Sequence, residues 1–208
     1  ITTVLFAPLL NSLAQEAPSI RFAFELPGPD SQIVLGNGDL DLMLTPEVFV
    51  HPDHPYELVF EERHVTVASL DNPMVEDGLS RSTFVNSGHV GVSVARKHTF
   101  AEEWFSRHGV ERRIEVRAPS FIQAPFLVPG TMRLCVMHER LAHYMAQLLP
   151  LKILETPFPI PPMREMVQFH ATREADPGLQ WLRQKIGAMA SRSQVSPASA
   201  AATGTGPE

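Results

Sequence analysis

Between Ile20 and Leu44 the chain reads IRFAFELPGPDSQIVLGNGDLDLML. Ile20–Glu25 is apolar and rich in β-formers, and Pro27, Gly28 and Pro29 form a turn cluster behind it. Asp30 or Ser31 can cap a short helix holding Ile33, Val34 and Leu35. Gly36-Asn37-Gly38 stops that helix, because both residue types tolerate φ > 0. Leu40, Leu42 and Leu44 then alternate as a second strand. Two strands joined by a helix predict a right-handed parallel βαβ unit. A parallel pair belongs in an α/β sheet covered by helices. The turn after its first strand faces the carboxyl edge, where open α/β sheets bind ligands.

The plan has an echo. Ile114–Glu139 runs through a strand, a turn marked by Pro119, a short apolar helix over Pro119–Val128, a turn at Pro129-Gly130-Thr131 and the apolar strand Leu134–Met137. The echo is either a coincidence or the mark of two similar α/β lobes, each with its own ligand-facing turn. Tyr56–Leu70 is a long strand pattern interrupted by Glu61-Glu62-Arg63, which suits a passage from one lobe to the other. Pro157–Pro162 holds four prolines and predicts a second, stiff crossing. Two lobes on two crossings make a hinged clamp.

The remaining elements follow local signals. A helix capped by Thr2 or Thr3 runs to Glu16 on an apolar face of Val4, Leu5, Leu9, Leu10 and Leu13, and Pro18 ends it. Asp71–Ser80 is a polar loop, and His89–Ala95 a strand. Thr99 caps the helix Phe100–His108, with Glu102 as its capping-box partner. Arg113–Arg117 alternates like a half-exposed strand. Glu139–Leu149 is a helix, Leu151–Leu154 a short strand and Met163–Ala171 the last strand. The final helix, Pro177–Ala190, has Asp176 as its cap and Pro177 at its first position. Residues 191–208 are rich in Ser, Ala, Pro and Gly and read as a disordered tail.

Composition excludes several functions. With 208 residues, 44% of them hydrophobic, the chain can build a packed core. A net charge of −6 argues against nucleic-acid binding by this chain alone. The one cysteine, Cys135, sits in an apolar run and reads as an inert buried thiol. No apolar run approaches the roughly 18 residues of a membrane span. Gly91-Val92-Ser93-Val94-Ala95 imitates a nucleophile elbow, but Ser93 between two valines reads as mid-strand. The His51-Pro52-Asp53-His54 loop lacks metal-ligand spacing and reads as solvated. His138 and His143, five apart, share no helix face, and His170 reads as a packed or hydrogen-bonded residue near the hinge. Glu61-Glu62 and Glu102-Glu103 are neighbours that do not converge, so both pairs read as solvated faces. No catalytic residue, metal site or cofactor is expected.

One combination of residues resembles a known family. Pro27, Gly28, Ser31 and Gln32 before an apolar helix, then Gly38, Leu40, Asp41 and Leu42, are similar to the effector-binding domain of LysR-type transcriptional regulators. Tyr56–Leu70, the Gly130-Thr131 turn and Arg140-Leu141-Ala142 extend the match. Phe169-His170, Asp176-Pro177 and Trp181-Leu182-Arg183 are similar to the subgroup that holds nodulation and aromatic-degradation regulators. The resemblance covers Ile1 to about Ala190 and implies an α/β fold like that of type 2 periplasmic binding proteins. Residues 1–62 with 158–190 would form lobe I, and 63–157 lobe II. The implied function is sensing a small aromatic or carboxylate effector between the lobes. The alternative is a transport solute-binding protein of the same fold. By motif, the effector would meet Thr2, Thr3, Pro29, Asp30, Ser31, His98, Thr99, Pro119, Ser120 and Phe121. The resemblance further implies a cytoplasmic homodimer, in which helix Thr2–Glu16 packs near Thr99–His108 of the partner, and tetramers at full length. DNA would be read only through an N-terminal helix-turn-helix absent from this sequence. The family's first strand also precedes the first helix, so its absence would leave a sheet neighbour unpaired.

Overall fold

Pro8 shapes the start of the chain. It has no N–H for the carbonyl four residues back, and its ring crowds that carbonyl. The turn ahead of it widens accordingly: Thr2–Phe6 winds as a π-helix before the regular helix α1, Ala7–Glu16. No threonine side chain caps α1. The computed structural model describes residues 2–26, 28, 30–94 and 97–192, so Pro29 and residues 193–208 of the expected tail lie outside it.

The expected first strand does not form. Residues 20–26 lie in no ladder. Ile20, Phe24 and Leu26 are exposed, Leu26 at 92%. A strand exists only through a neighbour's hydrogen bonds, and among the described residues none lies alongside. The helix α2, Ser31–Gly36, and the strand β1, Met43–Pro46, do follow, with Gly38 at φ +80° in the turn between them. β1 pairs with β9, Met163–Gln168, which also pairs with β2, Tyr56–Glu62. Both pairings are antiparallel, so the predicted parallel βαβ unit is absent from this sheet. α1 and the last helix, α6 (Pro177–Arg192), cover it with Leu5, Leu9, Leu13 and Ile186 around Phe60. α6 takes in Ser191 and Arg192, the first residues of the expected tail.

Arg63 alone separates β2 from β3, His64–Ser69, so the chain changes sheets at the charged interruption. The second sheet runs β5 (Lys97–His98), β4 (Gly88–Val94), β7 (Leu134–His138), β3 and β8 (Leu151–Glu155), with β6 (Arg113–Ala118) also on β4. β6 and β7 both run parallel to β4, one on each side of it. Ser93 is mid-strand, as expected. Alternation sends Val65, Val67, Cys135 and Met137 to the face under α5, Glu139–Ala146. Ala68, Leu134 and Val136 face α3 (Arg81–Asn86) and α4 (Phe100–Arg107), which contribute Phe84 and Phe105. α3 lies where no helix was predicted. The predicted helix Pro119–Val128 is reduced to a 3₁₀ turn, Ala124–Leu127, because Pro125 removes a donor inside it. Cys135 is fully buried, and burial pushes its thiol up to about 12, which makes it inert.

Candidate functional site

The seam between the two sheets is braced at both crossings. Arg63 forks onto the Glu155 carboxylate at 2.7 and 2.9 Å and reaches Glu139 at 3.3 Å. On the second crossing the Thr156 hydroxyl lies 3.0 Å from that of Thr66. Arg140, in the first turn of α5, donates to Glu62 at 2.8 Å and to the Glu61 carbonyl at 2.9 Å. Its guanidinium lies 4.4 Å over the Phe60 ring. The Glu62 side chain is 5% exposed, so the expectation of a solvated Glu61-Glu62 face holds for Glu61 alone. Glu102 also turns inward, onto the buried Arg112 at 2.5 Å, while Glu103 stays outside with Arg107. In each pair one carboxylate is drawn in by a cation, Glu62 by the distant Arg140 and Glu102 by Arg112, ten residues on.

Among the described residues, two polar side chains of this region, those of Glu165 and His64, are buried without a hydrogen bond. Glu165, on β9 opposite Phe60, is 1% exposed, and neither carboxyl oxygen makes a hydrogen bond. Burial, with the like charge of Glu62 adding to it, raises its pKa to about 8, so it is a neutral acid at pH 7. His64, on β3, is buried with both ring nitrogens unpartnered, and burial lowers its pKa to about 4. Its cross-strand partner is His138, with ring centroids 5.1 Å apart. Burial first, then the charge of His64, lowers the His138 pKa well below its ordinary value. Phe121 stands 4.3 Å from the His138 ring, and Phe100 stacks on His64 at 5.6 Å. The result is an aromatic row carrying neutral imidazoles, with a neutral acid on the neighbouring sheet. Such groups stay unsatisfied at a cost of about 1–3 kcal/mol each, and a ligand with hydroxyls or carbonyls would satisfy them.

Some of the expected contact residues reach this seam. The chain start spans it: Val4 packs on the second-sheet core, whereas Leu5 and Phe6 belong to the first-sheet core. Thr3 is half-buried between them. Phe121 is the expected residue most directly engaged, through His138. Thr99 precedes Phe100, but its hydroxyl caps α4 at 3.5 Å. Ser120 accepts the Gln123 N–H at 3.3 Å, and Ser31 accepts the Gly28 N–H at 2.9 Å, each inside its own turn. Asp30, His98 and Pro119 are exposed. Thr2 opens the π-helix, and Pro29 is outside the described residues.

The missed residues left one signal in the sequence. Period-two alternation puts Glu165 on the same strand face as Met163 and Val167, a charge on an apolar face. His64 likewise begins a run of six buried residues.

Comparison with known proteins agrees with this architecture. The family profile described as "LysR substrate binding domain" matches residues 1–191. Nodulation protein D 2 of Rhizobium tropici is 36% identical over 188 residues, 89% of this chain. The chain spans 60% of that relative's length. The regulatory domain of MexT, a transcriptional activator in Pseudomonas aeruginosa, superposes with a TM-score of 0.76 at 19% identity, covering 89% of this chain and 93% of that one. The Synechocystis CcmR regulatory domain, solved in complex with 2-PG, gives 0.74 at 18% identity over 91% and 92%. These likenesses carry the fold, a two-sheet α/β architecture of the type 2 periplasmic-binding-protein kind.

Proposed function

The chain belongs to the LysR substrate-binding domain family, and we propose that it is the effector-sensing domain of a LysR-type transcription factor. It is a regulatory domain and not an enzyme. Residues 1–62 with 158–190 act as one lobe and 63–157 as the other. A small molecule enters the seam between them and shifts the regulator between states by its unequal affinity for two arrangements. The unpartnered His64 within a row of aromatic rings, with the unpartnered Glu165 on the other sheet, carries this reading. Of the two ligand chemistries expected, the aromatic one fits better. The rings of Phe100, Phe121, His64 and His138 offer aromatic faces, and Arg140, a cation that could hold a carboxylate, is committed to Glu62. The contact set is Phe121, Thr3 and the turns at 29–31, 98–99 and 119–120, completed by His64, His138 and Glu165.

The same reading makes the full-length protein a cytoplasmic, DNA-bound oligomer. Two copies pair through α1 of one and α4 of the other, and DNA is held by a separate N-terminal domain. Among the described residues no helix is long and apolar enough to cross a membrane.

The test is thermal stabilisation by a panel of phenols, aromatic acids and other metabolites, on the wild type and on Glu165→Met. Removing a buried unsatisfied acid raises the unliganded stability by about 1–3 kcal/mol, while the shift produced by the best hit disappears. A hit whose shift survives both Glu165→Met and Phe121→Ala would place the effector elsewhere.

A further inference from the structure

Away from the seam, the first sheet carries a cluster that the proposed function does not use. His51 and His54, between β1 and β2, and His170, just past β9, stand in a row with ring centroids 4.9 and 4.6 Å apart. The sequence suggests a solvated loop here, but the loop is pinned. The buried Gln168 amide accepts the His51 N–H at 2.8 Å and donates to the His51 and His54 carbonyls at 2.7 and 2.9 Å. All three rings use Nδ1 in the same way. His51 Nδ1 accepts the Asp53 N–H at 3.1 Å, His54 Nδ1 the Ala171 N–H at 3.4 Å, and His170 Nδ1 the Thr172 N–H at 3.2 Å. The His170 Nδ1 also lies 2.8 Å from the Thr172 hydroxyl. An accepting Nδ1 carries no proton, which puts the ring hydrogen on Nε2. That tautomer leaves no Nε2 lone pair for a metal. A Cβ built on Gly36 would lie 3.6 Å from His54 Nε2, so this ring abuts the last residue of α2.

We propose that His54, standing between His51 and His170, is an acid-released latch. While neutral, it ties the loop of residues 50–55 to the end of β9, beside the Gln168 bonds that do not titrate. A proton on the His54 Nδ1 converts an acceptor into a donor that faces the Ala171 N–H, so it breaks the ring bond that joins the loop to the end of β9; the His51 and His170 bonds lie within their own turns. Further protons place like charges on rings in contact. His54 stands in the middle: burial, then the charges of His170 and His51, hold its pKa below the ordinary value, against the pull of Asp53. The charged groups around the joint are Asp53 on the loop itself and Arg173, with its partners Asp41 and Asp176, beyond β9. Asp53 is 82% exposed and offsets little of the repulsion.

Residue-resolved amide hydrogen exchange on the whole chain tests the latch. Between pH 7.5 and 5.5, protection factors corrected for intrinsic exchange fall several-fold, by up to about tenfold, at Ala171. Those of Val67 and Val136, in the second sheet, stay level. Asparagine offers an acceptor oxygen where Nδ1 stands and does not titrate. The triple variant His51→Asn, His54→Asn, His170→Asn therefore keeps its protection at pH 5.5. If the triple variant does not fold, His54→Asn alone keeps Ala171 protected at pH 5.5. Protection at Ala171 that ignores pH in the wild type, or falls equally in the Asn variants, overturns the proposal.

Discussion

The two sheets solve the same problem differently. In the second, β4 lies between β6 and β7, α5 covers one face, α3 and α4 the other, and residues such as Leu134 and Phe84 are fully buried. In the first, three antiparallel strands are covered by α1 and α6, and the apolar segment 20–26 lies unpaired at the flank. The sequences opening the two units, Ile20–Leu44 and Ile114–Glu139, are alike in plan. A strand-like sequence is therefore not sufficient: it becomes a strand only where a neighbour can accept its hydrogen bonds. The sheets also differ in the charge state they bury. The first encloses a neutral acid at Glu165, and the second encloses neutral histidines at His64 and His89, both lowered to about 4 chiefly by burial.

The largest contrast is in packing. Leu134→Ala should cost about 2–5 kcal/mol in urea unfolding, because it opens a cavity in a closed core. Phe24→Ala, at a side chain that is 49% exposed and meets Phe6 edge-on with ring centroids 5.0 Å apart, should cost about 0.5–1.5 kcal/mol. An equal loss at Phe24 would mean that the flank is covered after all.

The next contrast is in pH dependence, where the sheets oppose each other. Glu165 has a folded pKa near 8 against an ordinary 4.5. Between those values only the folded state holds the proton, so stability falls as pH rises through that window, by up to about 1.4 kcal/mol per unit. His64 and His89, near 4 against 6.5, do the reverse: their contribution is complete above 6.5 and is lost as pH falls toward 4. Glu165→Gln should flatten the alkaline side of the stability–pH curve, and His64→Phe the acid side. If Glu165→Gln leaves the curve between pH 5 and 8 unchanged, the acid is paired and the first sheet loses its distinguishing charge.

The smallest contrast concerns the two turns. Ser31→Ala removes a 2.9 Å bond to the Gly28 N–H and should cost about 1 kcal/mol. Ser120→Ala removes a weaker 3.3 Å bond to Gln123 and should cost a few tenths. Equal losses in thermal unfolding would remove this distinction between the units.

Features that depend on neighbours in sequence were legible before folding. Thr99 and Asp176 cap their helices, Gly38 and Gly130 sit at positive φ in their turns, and the chain changes sheets at Arg63. Each follows from one residue's backbone preferences or from a short pattern. Phe121 could be placed near the seam for the same reason: the order strand, turn, strand is local. The fate of residues 20–26, the division of labour within Glu61-Glu62 and the isolation of Glu165 could not be read this way. Arg140, which draws Glu62 inward, is 78 residues away in sequence, and among the described residues no hydrogen-bonding partner reaches Glu165. Local chemistry sets which segments can be helices, turns or strands. Which strand finds a partner, and which buried charge finds a counter-ion, depends on groups that only folding brings within a few ångströms.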